Sequence, residues 1–171
     1  TNNSNRGRAG QPGVNAANPI PQNSDGHIIR WKDSDGNLGG TFEWNLFLIS
    51  RETFDEGGQM FGSPDGIWGD PDGRIFIQTD GTQPGRNNDQ MLVADSKTRE
   101  VKRIFTGVAG CEVTGVTVTP NRKTMFVNLQ HPGDGDPKIT NFPAPFTGAA
   151  GPVPRDCTIV ITRKDGGIIG S

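Results

Sequence analysis

The chain has 171 residues, a formal net charge of −2 and only 31% hydrophobic residues, set against 25 glycines and 13 prolines. This composition favours short strands and many turns over helices, and the charge gives no basis for nucleic acid or an anionic membrane as partner. No apolar run approaches the ~18 residues of a membrane span.

Residues 1–26 are polar, rich in Asn, Gly and Pro, and read as an irregular loop. The loop opens with Thr1-Asn2-Asn3-Ser4-Asn5-Arg6. An Arg there can hold a phosphate oxygen bidentately and Asn amides can assist; the alternative is a solvated loop. His27 to Lys32 then reads as a strand, Asp33-Ser34-Asp35-Gly36 as a turn and Thr41 to Ile49 as a second strand.

The stretch Ser63 to Gly81 reads as a hairpin with strands over 66–69 and 74–79. Its turn is Asp70-Pro71-Asp72-Gly73, in which Pro presets φ and Gly takes the position where φ must be positive. An exposed acid, Asp80, follows the second strand. Strands over 89–94 and 100–106, joined through Asp95-Ser96-Lys97-Thr98, complete a four-stranded unit over 63–107. Val101 and Phe105 face inward and Arg103 outward on this reading.

The pattern then returns. Gly115 and Pro120 stand 49 positions after Gly66 and Pro71, and Met125-Phe126-Val127-Asn128 matches Ile75-Phe76-Ile77-Gln78 after one inserted residue. A repeat of that period built from short strands is the signature of a β-propeller blade. The last blade, 110–171, has strands over 114–119, 124–129 and 158–162, a Gly/Pro-rich loop over 131–154 and a final turn at Lys164-Asp165-Gly166-Gly167. Its fourth strand is missing or barely begun. With a half blade at 27–49, the all-β chain holds about two and a half blades, which close no ring. The expectation is therefore the C-terminal part of a single propeller domain, inactive and poorly folded by itself.

Several residues could carry chemistry. Asp65, in Pro64-Asp65-Gly66, precedes an innermost strand, where calcium-bound propeller hydrolases place a metal ligand; the alternative is a simple turn. Glu112 stands among small and apolar residues in Gly110-Cys111-Glu112-Val113-Thr114-Gly115. A carboxylate there is costly unless a cation or hydrogen bonds meet it, and the alternative is an exposed loop acid. Asp65 and Glu112 thus form a candidate pair of hard-cation ligands from adjacent blades. Asp33, Asp35, Asp70, Asp72, Asp134 and Asp136 read as turn residues, because none completes a calcium loop. His131 reads as a loop residue that could also serve as ligand or acid/base. Cys111 reads as a small buried hydrophobe rather than a soft metal ligand. Cys111 and Cys157 are either one disulfide or two buried thiols.

Taken together, Thr1-Asn2-Asn3 with Arg6, Ala16-Ala17-Asn18-Pro19, Gly26-His27-Ile28, Ser63-Pro64-Asp65-Gly66, Gln78-Thr79-Asp80-Gly81, Gly110-Cys111-Glu112-Val113-Thr114-Gly115, Asn128-Leu129-Gln130-His131-Pro132-Gly133 and Ile161-Thr162-Arg163-Lys164-Asp165-Gly166-Gly167 resemble the C-terminal part of the PhoX-type alkaline phosphatases. The resemblance implies a six-bladed propeller with a cluster of ferric iron and calcium on its axis. It also implies metal-assisted hydrolysis of phosphomonoesters and secretion to the periplasm or beyond. It makes Asp65 and Glu112 metal ligands, Arg6 a phosphate contact and Asn3 a substrate contact. The rest of the propeller and its remaining ligands would come from preceding residues of the same polypeptide. The substrate is a small phosphoester, with no nucleic acid and no membrane span. Two other readings remain at this point: a calcium-dependent propeller lactonase or esterase, and a non-catalytic propeller that binds partners.

Overall fold

The computed structural model describes residues 13–55, 57–86, 88–143, 147–148 and 151–171. Every long element among them is a strand, and the helical pieces are three-residue 3-10 turns. β1 (His27–Asp33) and β2 (Phe42–Ile49) form a two-stranded antiparallel sheet. β3 (Pro64–Gly69), β4 (Arg74–Thr79), β5 (Gln90–Asp95) and β6 (Val101–Thr106) form a four-stranded sheet in chain order. β7 (Glu112–Val118) and β8 (Thr124–Gln130) form the next hairpin. A two-residue hairpin, β9 (Thr147–Gly148) with β10 (Gly151–Pro152), interrupts the long loop. β11 (Cys157–Thr162) then pairs with β8, giving the order β11-β8-β7.

The four-stranded sheet is buried on both faces. Phe76, Met91 and Val93 pack with Val113, Met125, Val127 and Leu129 of the following sheet. Ile77, Leu92, Ala94 and Val101 pack with Ile28, Phe47 and Leu48 of the preceding one. Neighbouring residues of β4 and β5 therefore serve opposite cores, since strand side chains alternate between faces. This is why β4 and β5 are nearly continuous apolar runs and not alternating ones.

Two glycines of the repeat have one structural cause. The register shifts between Pro64 and Ile67 in β3, and between Thr114 and Val116 in β7. At each bulge the side chain of the facing strand lies against the glycine. A Cβ on Gly66 would collide with Gln78 Oε1, and a Cβ on Gly115 would stand 2.7 Å from Asn128 Nδ2. Gly115 also holds φ at +50°, a conformation that favours glycine. The bulges extend both strands: β3 begins at Pro64 and β7 at Glu112, two residues ahead of the expected starts.

One expectation is corrected and two others are decided. Arg103 is half-buried, not outward, and its guanidinium stands 3.4 Å from Asp55. It continues the regular pairing of Val101 with Ala94 and Lys102 with Val93, and so stands opposite Leu92 on the face of Val101; the register shifts only beyond it, where Phe105 pairs with Met91. Cys111 and Cys157 are both free thiols, packed in or against the same core cluster. No strand follows β11 among the described residues. Instead the tail turns back, Ile169 N donates to Arg122 O at 3.0 Å, and the Ile169 side chain joins the inter-sheet core.

The turn after β3 ties the two larger sheets together. Asp70 Oδ1 accepts from the amides of Asp72 and Arg74, and Arg74 Nε donates to Asp70 Oδ2 at 2.6 Å. Arg122, in the equivalent turn of the next sheet, reaches Asp72 Oδ2 at 2.6 Å and Asp70 Oδ2 at 3.4 Å. Burial opposes ionisation of Asp70, but the Arg74 and Asp72 contacts outweigh it and hold the carboxyl below its usual range. Asp70 and Asp72 look alike in sequence, yet their side chains are 1% and 50% exposed. Asp70→Asn is expected to cost about 3 kcal/mol, because it breaks a buried, fully hydrogen-bonded pair. Asp72→Asn should cost less than about 1 kcal/mol, as exposed pairs do. Urea unfolding of the two variants beside the parent protein measures both.

Candidate metal centre

Three chain segments end at one place. β4 delivers Asp80 immediately after its last residue, β7 begins with Glu112, and β8 is followed by His131. The pairing of Glu112 with Gln130 sets Glu112 beside His131, while contacts between β4 and β7 bring in Asp80. One donor atom from each of Asp80, Glu112 and His131 lies within 4.8 Å of the others. His131 Nε2 stands 3.6 Å from Glu112 Oε2.

His131 is held in an unusual backbone conformation, with φ at +41°, and such strain in a non-glycine residue persists only where the surroundings enforce it. Here its amide donates to Asp156 Oδ1 at 2.7 Å, and its Nδ1 lies 3.2 Å from the Gly110 carbonyl. A carbonyl only accepts, so Nδ1 carries a proton and, in the neutral ring, the Nε2 lone pair faces the two carboxylates. A ligating histidine typically has this arrangement. Gly110 is needed for it. Its φ is +70°, a Cβ there would stand 2.8 Å from Asp134 N, and its own carbonyl also accepts from Asp134 N at 3.1 Å.

The cluster opens into a cleft of about 390 Å³ whose walls include Asp80, Gln83, Asp89, Cys111, His131 and Asp134. Burial opposes protonation of His131, but the Gly110 carbonyl and the Asp134 and Glu112 carboxylates prevail and keep its pKa above the ordinary value. Asp89 lies beneath, 9% exposed. Its Oδ1 accepts from Thr79 Oγ1 at 2.6 Å and from Gln83 Nε2 at 2.9 Å, and both of its oxygens stand 3.2 Å from Gly81 N. Burial, with Asp80 adding repulsion, outweighs these bonds and lifts the Asp89 carboxyl to about 6. Burial also pushes the Cys111 thiol up to about 11. A thiol that keeps its proton is a poor ligand, which fits the reading of Cys111 as a small hydrophobe.

Two carboxylates and an imidazole with a directed Nε2 lone pair form a donor set that fits a metal cation. Of the expected ligands, Glu112 belongs to this group. Asp65 does not; it is exposed in β3, although its neighbour Pro64 faces Thr79 in the sheet. Asn3 and Arg6 lie outside the described residues. Asp80 was legible only as an exposed acid and His131 chiefly as a loop residue. Their common signal was position, one residue beyond the ends of β4 and β8 in the two repeats.

The family model described as alkaline phosphatase PhoX matches residues 1–133. A comparison with curated protein sequences gave no match. Among solved structures, Pseudomonas fluorescens PhoX in complex with vanadate, a transition state analogue, superposes with a TM-score of 0.80 at 38% identity. The alignment covers 99% of this chain and 32% of that one, so the chain spans about a third of the relative's length. The chain belongs to the PhoX alkaline phosphatase family, and its antiparallel sheets are blades of a β-propeller.

The Asp89 carboxyl gives a pH dependence of defined sign. Between about pH 4 and pH 6 the folded chain keeps a proton that the unfolded chain has released, so this group's contribution to stability falls as pH rises. In the metal-free protein the parent should lose on the order of 2 kcal/mol relative to Asp89→Asn between pH 4 and pH 7. Urea unfolding of both proteins at the two pH values measures the difference.

Proposed function

We propose that the protein to which this chain belongs is a metal-dependent phosphatase of phosphomonoesters. The observation that carries the reading is the convergence of Asp80, Glu112 and His131 at one end of two neighbouring blades, in a chain of the PhoX family. The vanadate bound by the Pseudomonas fluorescens relative supports a site that accommodates a phosphoryl group in transfer.

On this reading the two carboxylates and His131 Nε2 hold a cation at the mouth of the cleft. A bound cation would supply charge neutralisation for the phosphate oxygens. The Gly110 carbonyl keeps His131 in the tautomer that presents Nε2, and Asp134 favours positive charge on the same ring. Arg6 contributes a bidentate contact to the phosphoryl oxygens and Asn3 an amide contact, adding fixed positive charge where charge persists through the transition state. Asp65 serves a second cation near the same blade ends. We assign ferric iron and calcium to these positions: imidazole with carboxylate suits iron, and carboxylates with other hard oxygen donors suit calcium. The family resemblance extends the proposal to a periplasmic or secreted protein whose other blades come from the same polypeptide.

The test is metal analysis and turnover of p-nitrophenyl phosphate and of a lactone by the intact protein. Glu112→Gln and His131→Ala should each lower bound metal and phosphatase turnover together, by roughly 10-fold or more. Asp72→Asn should leave both near the parent values. Full metal occupancy and full turnover in Glu112→Gln would refute the metal-centre reading. Hydrolysis of the lactone with none of the phosphoester would replace phosphatase by lactonase.

A further inference from the structure

We propose that Asp89 is the positioning residue of the metal centre, fixing Asp80 through the residues on either side of it. The proposal rests on the reading that Asp80, Glu112 and His131 hold a cation. Asp80 occupies the turn between β4 and the loop that returns to β5. The residue before it, Thr79, donates its hydroxyl to Asp89 Oδ1 at 2.6 Å. The residue after it, Gly81, directs its amide at both Asp89 oxygens from 3.2 Å. One buried carboxylate thus grips both neighbours of Asp80, while Asp80 N donates to Ser63 O at 3.0 Å. The turn that presents the Asp80 side chain is held at three points.

The grip is itself anchored. Gln83 Nε2 donates to Asp89 Oδ1 at 2.9 Å and to the Gly62 carbonyl at 2.9 Å, while Gln83 Oε1 accepts from Gly62 N and from Gln90 Nε2. Thr79 Oγ1 in turn accepts from Gln90 N at 2.9 Å. Thr79, Gln83, Asp89 and Gln90 are all buried. A turn could be closed far more cheaply than by a buried carboxylate whose described partners are all neutral. What this carboxylate adds is rigidity: an acceptor-only group can receive the Thr79, Gly81 and Gln83 donors at once. Outer-shell bonds of this kind set a ligand's direction.

The experiment uses the intact protein, stripped of metal and titrated with Co²⁺ at pH 8, with d–d absorption reporting the donor set. Asp89→Asn keeps the shape but turns an amide N–H toward the Gly81 N–H. It should weaken Co²⁺ binding by about 10-fold or more. Asp80→Ala should weaken it by a comparable factor, and the double variant should bind no more weakly than Asp80→Ala alone. Should Asp89→Asn fail to fold, Thr79→Val removes one arm of the grip. It should weaken Co²⁺ binding about fivefold, again with no further effect in the Asp80→Ala background. Parent-like Co²⁺ binding in folded Asp89→Asn, or effects of Asp89 and Asp80 that multiply, overturns the positioning role and leaves the metal centre standing. Parent-like binding in Asp80→Ala shows that Asp80 is no ligand, and both readings fall together.

Discussion

The burial of β4 and β5 on both faces is the constraint from which the rest follows. A strand with apolar side chains on two faces has no tolerance for a one-residue slip, because every side chain would change cores. Phe76 and Ile77 must face opposite neighbours, and the pairing of Gln78 with Met91 is thereby fixed. That register leaves Thr79 and Gln90 facing each other at the end of the ladder, with Asp80 and Asp89 just beyond them. The Thr79 hydroxyl bridges the two strands by donating to Asp89 and accepting from Gln90 N. The apolar core and the polar site are therefore one arrangement: the same register that packs the blades sets the two acids at the rim.

The bulges act on the other side of the same edge. A regular strand from Gly66 would leave Pro64 and Asp65 unpaired, and one from Gly115 would leave Glu112 outside the ladder. The extra residue re-aims the strand and lets pairing continue to Pro64–Thr79 and Glu112–Gln130. Gln78 and Asn128 use the space that the two glycines leave. The repeat visible in the sequence is thus a repeat of this device. It explains why glycine and an amide recur at matched positions while the apolar residues between them vary.

Much of the fold was legible because hairpin turns and apolar runs are local. The turn at Asp70 to Gly73, the four-strand unit and the return of the pattern 49 residues on all rest on neighbours in sequence. The strand starts were two residues late because a bulge breaks alternation at the point where a strand is being recognised. Arg103 was misplaced for a different reason: two positions from Val101 it shares that residue's face in a regular strand, opposite Leu92. The site was harder to read. Glu112 could be singled out as a carboxylate among small and apolar residues. Asp80 read only as an exposed acid and His131 as a loop residue with ligand as its alternative, because what distinguishes them is the convergence of β4, β7 and β8. His131 also depends on the Gly110 carbonyl, 21 positions away.

The electrostatics of the cleft suit the proposed cation. Asp80, Asp89 and Asp134 line it, with Glu112 beside them, and His131 is the one basic side chain in its described lining. Asp89 is raised chiefly by burial, with Asp80 adding repulsion, and His131 is raised first by the Gly110 carbonyl and then by Asp134 and Glu112. The neighbouring carboxylates favour the protonated form of both groups, in addition to burial at Asp89 and the Gly110 carbonyl at His131. A cation held by Asp80, Glu112 and His131 supplies the missing charge without protons, so its binding and the ionisation of these groups are linked. It also stabilises the fold, because the folded chain assembles the three ligands and the unfolded chain does not. Metal affinity should therefore fall as pH drops through the range in which His131 and Asp89 take up protons. The rigid register of β4 and β5 then has a second use. It holds repelling acids close together, which a softer edge would let drift apart.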